Sequence, residues 1–213
     1  MEQARIASLL APFLAPDSLT DQQLAQVSTY LDLLLKWNAR INLTSVRKPE
    51  EIVTRHFGES FFAARQLGLL SARESSLIDL GSGAGFPGLP IKLYAPAISV
   101  TLIESNQKKT TFLREIIRAL TLTNIDVFAG RAEDFPRAAA TVTLRAVEKP
   151  ERALTAAARL VSPGGRLALL VGLALAGAIP GLLSGFSWSP RVTLPGSSNR
   201  ILLVGQVWCK ESR

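Results

Sequence analysis

The run Asp79-Leu80-Gly81-Ser82-Gly83-Ala84-Gly85-Phe86-Pro87-Gly88 constrains this chain more than any other. It follows a short apolar segment, Leu77-Ile78-Asp79-Leu80, that reads as a strand. A strand that runs into spaced glycines turns sharply and lets a ligand lie against bare backbone, because no Cβ stands in the way. A second strand, Ser99 to Glu104, ends in a carboxylate 23 residues beyond Gly81. Doubly wound α/β folds place a ribose-binding acid at that point.

The rest of the chain fits the same plan. A helix from about Gln107 to Leu120, a strand at Ile125–Phe128 and weaker strands at Val142–Leu144 and Leu167–Val171 alternate after Ser76. Such alternation predicts a mostly parallel sheet with helices on both faces. Arg191–Leu194 and Arg200–Val207, joined by Pro195-Gly196-Ser197-Ser198-Asn199, read as a terminal antiparallel hairpin. Residues 1–75 have a different rhythm. Thr20 and Gln23 have capping-box spacing before Leu24, Val27, Leu31, Leu34 and Leu35. A second helix starts at Pro49, with Glu50 and Glu51 in its first turn and Ile52, Val53, Phe57, Phe61 and Ala64 as its apolar stripe. The expected organisation is an N-terminal helical extension, 1–75, packed on a core domain, 76–213.

Charge follows the same division. Residues 1–75 carry eight basic and eight acidic side chains, so the whole net charge of +7 lies in 76–213. That balance permits a polyanionic partner. One Cys, Cys209, and one His, His56, exclude an internal disulfide and Cys- or His-rich metal sites, so no metal is expected. The start of the chain has no secretory signal pattern. The uncharged stretch between Arg166 and Arg191 is long enough to span a bilayer, yet four glycines and Pro180 interrupt it, and a buried strand and helix is expected instead.

Two ligand classes compete for the glycine turn. Gly83 to Gly88 satisfies G-x-G-x-x-G, the dinucleotide fingerprint. A pyrophosphate, however, needs a helix N-terminus there, which Pro87 and Pro90 delay. Asp79 adds a negative charge that suits a cationic ligand such as S-adenosylmethionine, and the turn favours that methyl donor.

The segment from Asp79 to Pro90 closely resembles the corresponding loop of the RsmG (GidB) methyltransferases, which modify guanine N7 in small-subunit (16S) ribosomal RNA. Trp37-Asn38, Asn42-Leu43-Thr44-Ser45-Val46, Glu51-Ile52, Arg55-His56-Phe57, Gly130-Arg131-Ala132-Glu133, Arg145-Ala146-Val147 and Pro163-Gly164-Gly165-Arg166 also resemble motifs of that family, in order along the chain. The resemblance implies a class I S-adenosylmethionine-dependent methyltransferase fold, Rossmann-like, with a seven-stranded sheet and a C-terminal antiparallel hairpin. It implies a bacterial, cytoplasmic enzyme that acts on 16S ribosomal RNA or a small-subunit particle, with no membrane association and as a monomer. By motif, Asp79, Gly81, Gly83 and Phe86 belong to the cofactor site, with Gly81 and Phe86 on the methionine side. Glu104 takes the ribose, Ala132 and Glu133 frame the adenine, and Arg145 stands at the cofactor–substrate boundary. The chain departs from the family pattern at Glu104 (more often Asp), at Gly58-Glu59-Ser60 (more often Leu-Asp-Ser) and at Val171-Gly172, where a basic residue usually precedes the glycine. The 167–190 stretch is also more apolar than the family leads one to expect.

Methyl transfer to guanine N7 needs no general base, because N7 carries a free lone pair; positioning and electrostatics suffice. Arg145, after an apolar strand, is the expected catalytic positioning residue, through guanine O6 or a phosphate, with an ion pair to Glu148 as the alternative. His56 is either a packed residue on an apolar helix face or a pocket contact. Lys108, Lys109, Arg114 and Arg118 are expected to present one basic helix face to RNA phosphates, with a merely solvated face as the alternative. The same cofactor with another acceptor, or a non-catalytic RNA-binding or ribosome-assembly module, are the competing functions. A nicotinamide-dependent oxidoreductase ranks last.

Overall fold

The strand that ends in the glycine turn, β1 (Ser76–Leu80), lies between β2 (Ser99–Glu104) and β4 (Ala139–Arg145), and all three are parallel. The computed structural model describes residues 1–72, 75–145 and 150–207. Beyond β2 lies β3 (Ile125–Ala129); beyond β4 come β5 (Val161–Gly172) and the antiparallel β8 (Arg200–Val207). The strand order reverses on either side of β1, which places the ligand crevice of an open α/β sheet at the carboxyl ends of β1 and β4.

The sheet has eight strands among the described residues, where seven are expected. The eighth arises because β6 (Phe186–Trp188) and β7 (Val192–Thr193) share one edge of β8. β6 pairs with its Gly205–Val207 end and β7 with Ile201 and Leu202, so the two occupy a single seventh position. The 163–166 turn lies inside β5: pairing with β4 jumps from Ala139–Val161 to Thr141–Arg166, and Gly164 has φ +71°.

Side chains alternate between the two faces of the sheet, and both faces are covered, as a parallel sheet requires. Leu77, Val100, Leu102 and Leu170 join one apolar cluster, while Ile78, Leu80, Ile103, Leu144 and Leu169 join the other. The first cluster includes α1 (Gln3–Leu14), α2 (Asp21–Asn38) and α6 (Gln107–Ala119); the second includes α7 (Pro150–Arg159). The N-terminal helices therefore share one continuous core with the sheet.

In α2, Thr20 and Gln23 form the expected reciprocal cap, with Gln23 N donating to Thr20 Oγ1 at 3.2 Å and Thr20 N to Gln23 Oε1 at 2.8 Å. The expected second helix begins at Pro49 as α3 (Pro49–Ile52), but widens into a π-helix over Val53–Gly58 before α4 (Glu59–Gln66). Helix α1 is not apparent from the sequence because Pro12 sits inside it. The uncharged stretch completes β5, then forms α8 (Leu173–Ala176), α9 (Ile179–Leu182) and β6. Among the described residues no helix is long and apolar enough to cross a membrane.

Candidate active site

Three glycines shape the turn after β1, with φ +67° at Gly81, +56° at Gly83 and +90° at Gly85, a region that L side chains rarely adopt. Gly81 N and Ser82 N both donate to the Ile103 carbonyl, at 2.9 and 3.0 Å, which ties the turn to the end of β2. A Cβ at Gly81 would meet only open space, whereas one at Gly85 would collide with Leu89 and the Tyr30 hydroxyl. The turn thus has a packed side and a side that faces a cavity.

That cavity, about 490 Å³, lies over the ends of β1, β2 and β4, and holds Gly81, Glu104, Ala132, Glu133 and Arg145 in its wall. Leu80, Ile103, Leu144, Ala153 and Ala156 give it an apolar lining. Glu104 is buried; its Oε2 accepts from Gly83 N at 2.9 Å and its Oε1 from Asn106 N at 2.8 Å. Each oxygen keeps a lone pair toward the cavity for a hydroxyl donor. Glu133 is ion-paired with Arg152 at 2.8 Å; a backbone hydrogen bond and then this pairing hold its pKa below the usual value.

A second cavity, about 720 Å³, opens between the glycine turn and the N-terminal π-helix. The two share Gly81, Lys109 and Arg145. Gly83 and Phe86 face this second space, so Gly81, Phe86, Glu104, Ala132, Glu133 and Arg145 all line one connected groove. Asp79 is the exception. It lines neither cavity, being fully buried, with Thr143 Oγ1 donating to Oδ1 at 2.8 Å and Gly88 N to Oδ2 at 3.1 Å. Burial raises its pKa to about 6. Alternation along β1 explains the correction: Asp79 points to the Leu77 side, behind the turn, where it buttresses the start of α5 (Gly88–Tyr94).

The N-terminal helices supply much of the second cavity. Fully buried Tyr30 donates its hydroxyl to the Ala84 carbonyl and stacks on Phe86 at 5.4 Å. Phe86 is sandwiched, because His56 stacks on it at 4.8 Å. His56 Nε2 meets Thr44 Oγ1 at 2.7 Å. Desolvation, then Arg145, Arg55 and Arg200, drive the His56 pKa down to about 3, so the ring is neutral. His56 thus combines the two readings: it packs on Phe86 and it lines the second cavity.

Arg145 has its described partners in the N-terminal helices; Glu148, the alternative, lies outside the described residues with Ala146 and Val147. Arg145 Nη2 donates to Glu59 Oε2 at 2.8 Å and to the Arg55 carbonyl at 2.7 Å. The Arg55 carbonyl belongs to the π-helix, a form that appears frequently at functional sites. Glu59, 1% exposed, also accepts from Arg200 through its other oxygen, at 2.8 Å from Nε and 2.6 Å from Nη2. Sequence reasoning noted Glu59 only as a departure from a family motif and left Arg200 without a place. A lone acid among Phe57, Phe61 and Phe62 was the available signal; nothing local marks Arg200 as its partner.

The four basic residues of α6 do not form one face. At 100° per residue, Lys109 lies well away from Arg114 and Arg118. Lys109 lines both cavities, whereas Lys108, Arg114 and Arg118 are exposed. No cluster of His, Cys, Asp or Glu among the described residues could hold a metal ion.

The fold and the chain's sequence have known counterparts. A SAM-dependent methyltransferase from Aquifex aeolicus superposes with a TM-score of 0.59 at 16% identity, covering 76% of this chain and 94% of that one. TYW2 of M. jannaschii, solved in complex with AdoMet, gives a TM-score of 0.56 at 15% identity over 79% and 78%. At such identity the likeness concerns the fold alone, and it is that of the class expected. Sequence relatives are nearer. The ribosomal RNA small subunit methyltransferase G of Xanthomonas campestris pv. campestris (strain B100) is 40% identical over 170 residues, 79% of this chain and 78% of that protein. Its counterpart in Xanthomonas oryzae pv. oryzae is 37% identical over 203 residues, 93% of each. The family profile described as rRNA small subunit methyltransferase G matches residues 23–179, and the chain belongs to that family, GidB.

Proposed function

We propose that this chain transfers a methyl group from S-adenosylmethionine to N7 of a guanine in small-subunit (16S) ribosomal RNA, as naked RNA or within a particle, in the cytoplasm. The observation that carries the reading is the connected groove. One end has the features of a nucleoside site, and the other is strongly cationic, with Arg55, Lys109, Arg145 and Arg200 against the single carboxylate Glu59 among the described residues.

The residues fit the cofactor. Gly81 leaves bare backbone facing the first cavity, Glu104 offers lone pairs for a ribose, and Ala132, Ala153 and Leu144 offer apolar contact to an adenine. When bound there, S-adenosylmethionine supplies an electrophilic methyl group on a sulfonium. Asp79, buried behind the turn, sets the turn's shape through Gly88 and Thr143 and lends its negative charge from behind. This role replaces direct contact.

On the acceptor side the chain orients rather than deprotonates. N7 attacks through its lone pair, so no proton has to be removed first. His56, with a pKa near 3, is too weak a base to take one at neutral pH, and its neutrality keeps a further positive charge away from a guanine ring that becomes cationic. Arg145 is held from behind by Glu59 and the Arg55 carbonyl, which leaves its remaining N–H groups for guanine O6 or a phosphate. Val171 and Gly172 form an apolar wall. In this reading residues 1–75 are the extension that closes the acceptor side, and 76–213 form the methyltransferase domain. Lys108, Arg114 and Arg118 add phosphate affinity outside the groove.

The test is transfer of tritium from labelled S-adenosylmethionine into small-subunit RNA, followed by mapping of N7-methylguanosine in ribosomal RNA with and without the protein. Label at one guanine N7 is the expected result. No transfer to naked RNA, precursor particles or assembled subunits, or label confined to a non-RNA fraction, sinks the reading.

A further inference from the structure

Glu59 joins three parts of the molecule at one point. It opens α4 in the N-terminal helices, Arg145 ends β4, and Arg200 begins β8. In the sheet, β4 and β8 flank β5, with Arg145 opposite Leu170 and Arg200 opposite Gly172. One carboxylate therefore spans the end of β5, giving one oxygen to each guanidinium. Its side chain is 2% exposed, against 13% for Arg145 and 28% for Arg200. A carboxylate this buried carries a substantial desolvation cost, which two charged hydrogen-bonding partners offset.

The arrangement matters for what the guanidinium groups can reach. Arg55, Arg145 and Arg200 crowd one cavity, and Arg55 has its own surface partner in Glu51 at 2.8 Å. Without Glu59, the like charges of Arg145 and Arg200 are uncompensated and Arg145 keeps only the Arg55 carbonyl. With it, Arg145 Nη2 is committed to Glu59 and the Arg55 carbonyl, while Nη1 is buried with no hydrogen-bond partner among the described residues. A buried unsatisfied donor at the junction of two cavities is poised for an acceptor atom of a ligand.

Resting on the function proposed above, we infer that Glu59 is the positioning residue of the acceptor site. It fixes Arg145 so that Nη1 meets the acceptor nucleotide, and it holds Arg200 across the end of β5 as the second cation of the same site. Glu59 touches neither cofactor nor acceptor; it acts through the two arginines.

The experiment compares wild type, Glu59→Gln, Glu59→Asp, Arg200→Gln and the Glu59→Gln/Arg200→Gln double variant. Each is assayed for methyl transfer to small-subunit RNA, for S-adenosylmethionine affinity by titration calorimetry, and for Tm. Glu59→Gln keeps the shape and loses the charge. Its kcat is expected to fall roughly 10- to 100-fold, the cost of misplacing a positioning group by about an ångström. KM for RNA changes by less than about threefold, because spread phosphate contacts dominate affinity, and cofactor affinity by less than twofold. Glu59→Asp recovers at least about fivefold of the kcat lost in the Gln variant. Arg200→Gln costs less, and the double variant loses less than the product of the two single losses. Should Glu59→Gln not fold, Arg200→Gln alone carries the test through its kcat fall at unchanged cofactor affinity.

Wild-type kcat in Glu59→Gln or in Arg200→Gln overturns the inference while leaving the methyltransferase reading intact. So does a parallel loss of Tm, cofactor affinity and rate, which marks a fold-holding ion pair only, or an Asp variant no better than Gln. A wild-type protein that methylates no small-subunit RNA overturns the reading itself, and the inference falls with it.

Discussion

The two cavities of the groove are built from different materials. The first is made within the sheet domain, by the β1 turn, the ends of β2 and β4, the short segment after β3 and the face of α7. Its key polar group, Glu104, accepts from backbone N–H groups of Gly83 and Asn106. The second is made by side chains from distant parts of the chain. Tyr30 reaches Ala84, His56 stacks on Phe86, and Glu59 meets Arg145 and Arg200, separated by 86 and 141 residues. A site of the first kind follows from a local motif. One of the second kind exists only when the N-terminal helices dock, so its precision depends on buried charge pairs and is easily lost.

Gly81→Asp is the largest test of that contrast. Gly81 sits at φ +67° with open space where a Cβ would stand, so the new carboxylate enters the first cavity beside Glu104. Cofactor affinity is expected to drop at least about 100-fold, roughly 2.7 kcal/mol, and transfer to disappear. Tm should fall by only a few degrees, since nothing is displaced. Calorimetric titration and a melting curve check both halves; tight cofactor binding by this variant would break the assignment of the first cavity.

Arg145→Ala tests the other side. It removes one of the two cations shared by both cavities, the other being Lys109, and leaves Glu59 with Arg200 alone. Loss of one preorganised donor costs about 10²–10³ in kcat, while the first cavity keeps Gly81, Glu104 and its apolar lining. Rate and cofactor affinity are thus expected to separate: a large fall in single-turnover rate with cofactor Kd changed less than about fivefold. If the two fall together, the cavities are one functional unit and the contrast is wrong.

The same contrast accounts for what could be read from sequence. Strand–glycine–acid spacing is a local signature, and β2 runs over Ser99–Glu104 as the residues suggest. The capping box of α2 is also local, and it forms. Asp79 departs from its expected place for a different reason. Its presence beside the glycines suggested contact with a ligand, but strand alternation turns it to the opposite side, where Thr143 and Gly88 take both oxygens. Helix α6 shows the converse. Four cations within one helix-length look like a single surface until the 100° step separates Lys109 from Arg114 and Arg118. Arg200 carried no signal, because its partner lies 141 residues away and is recognisable only from an acid placed among phenylalanines.

Tyr30→Phe sharpens the contrast at smaller scale, because Tyr30 is the N-terminal helices' contact with the back of the glycine turn. The substitution removes a buried hydroxyl and leaves the Ala84 carbonyl without its donor, while the ring stack on Phe86 remains. Leaving a buried acceptor unsatisfied costs about 1–3 kcal/mol of stability. Since the hydroxyl holds the turn from behind, cofactor Kd is expected to rise only a few-fold. Chemical denaturation gives the first number and titration the second; unchanged stability would show that docking of α2 does not rely on the Tyr30 hydroxyl.

The smallest effect expected on rate belongs to His56, and it divides rate from stability. Its pKa is lowered from 6.5 to about 3, so the folded protein holds it neutral across the neutral range. His56 should then contribute no inflection near pH 6.5, and the pH profiles of wild type and His56→Gln should run parallel between pH 6 and 8 even where absolute rates differ. Stability behaves otherwise. The unfolded chain takes up a proton on His56 below about pH 6.5 and the folded chain does not, so this contribution is fully present above 6.5 and is lost as pH falls toward 3. The loss approaches about 1.4 kcal/mol per pH unit for a fully excluded proton, and partial exposure of the ring reduces it, so about 1–2 kcal/mol between pH 6.5 and 5 is expected. His56→Gln, which lacks the titrating ring, should show a correspondingly flatter stability curve over that interval. A rate inflection near 6.5 that vanishes in His56→Gln would mean that His56 titrates in the folded protein, and with it would go the picture of a neutral ring stacked on Phe86 in the field of three arginines.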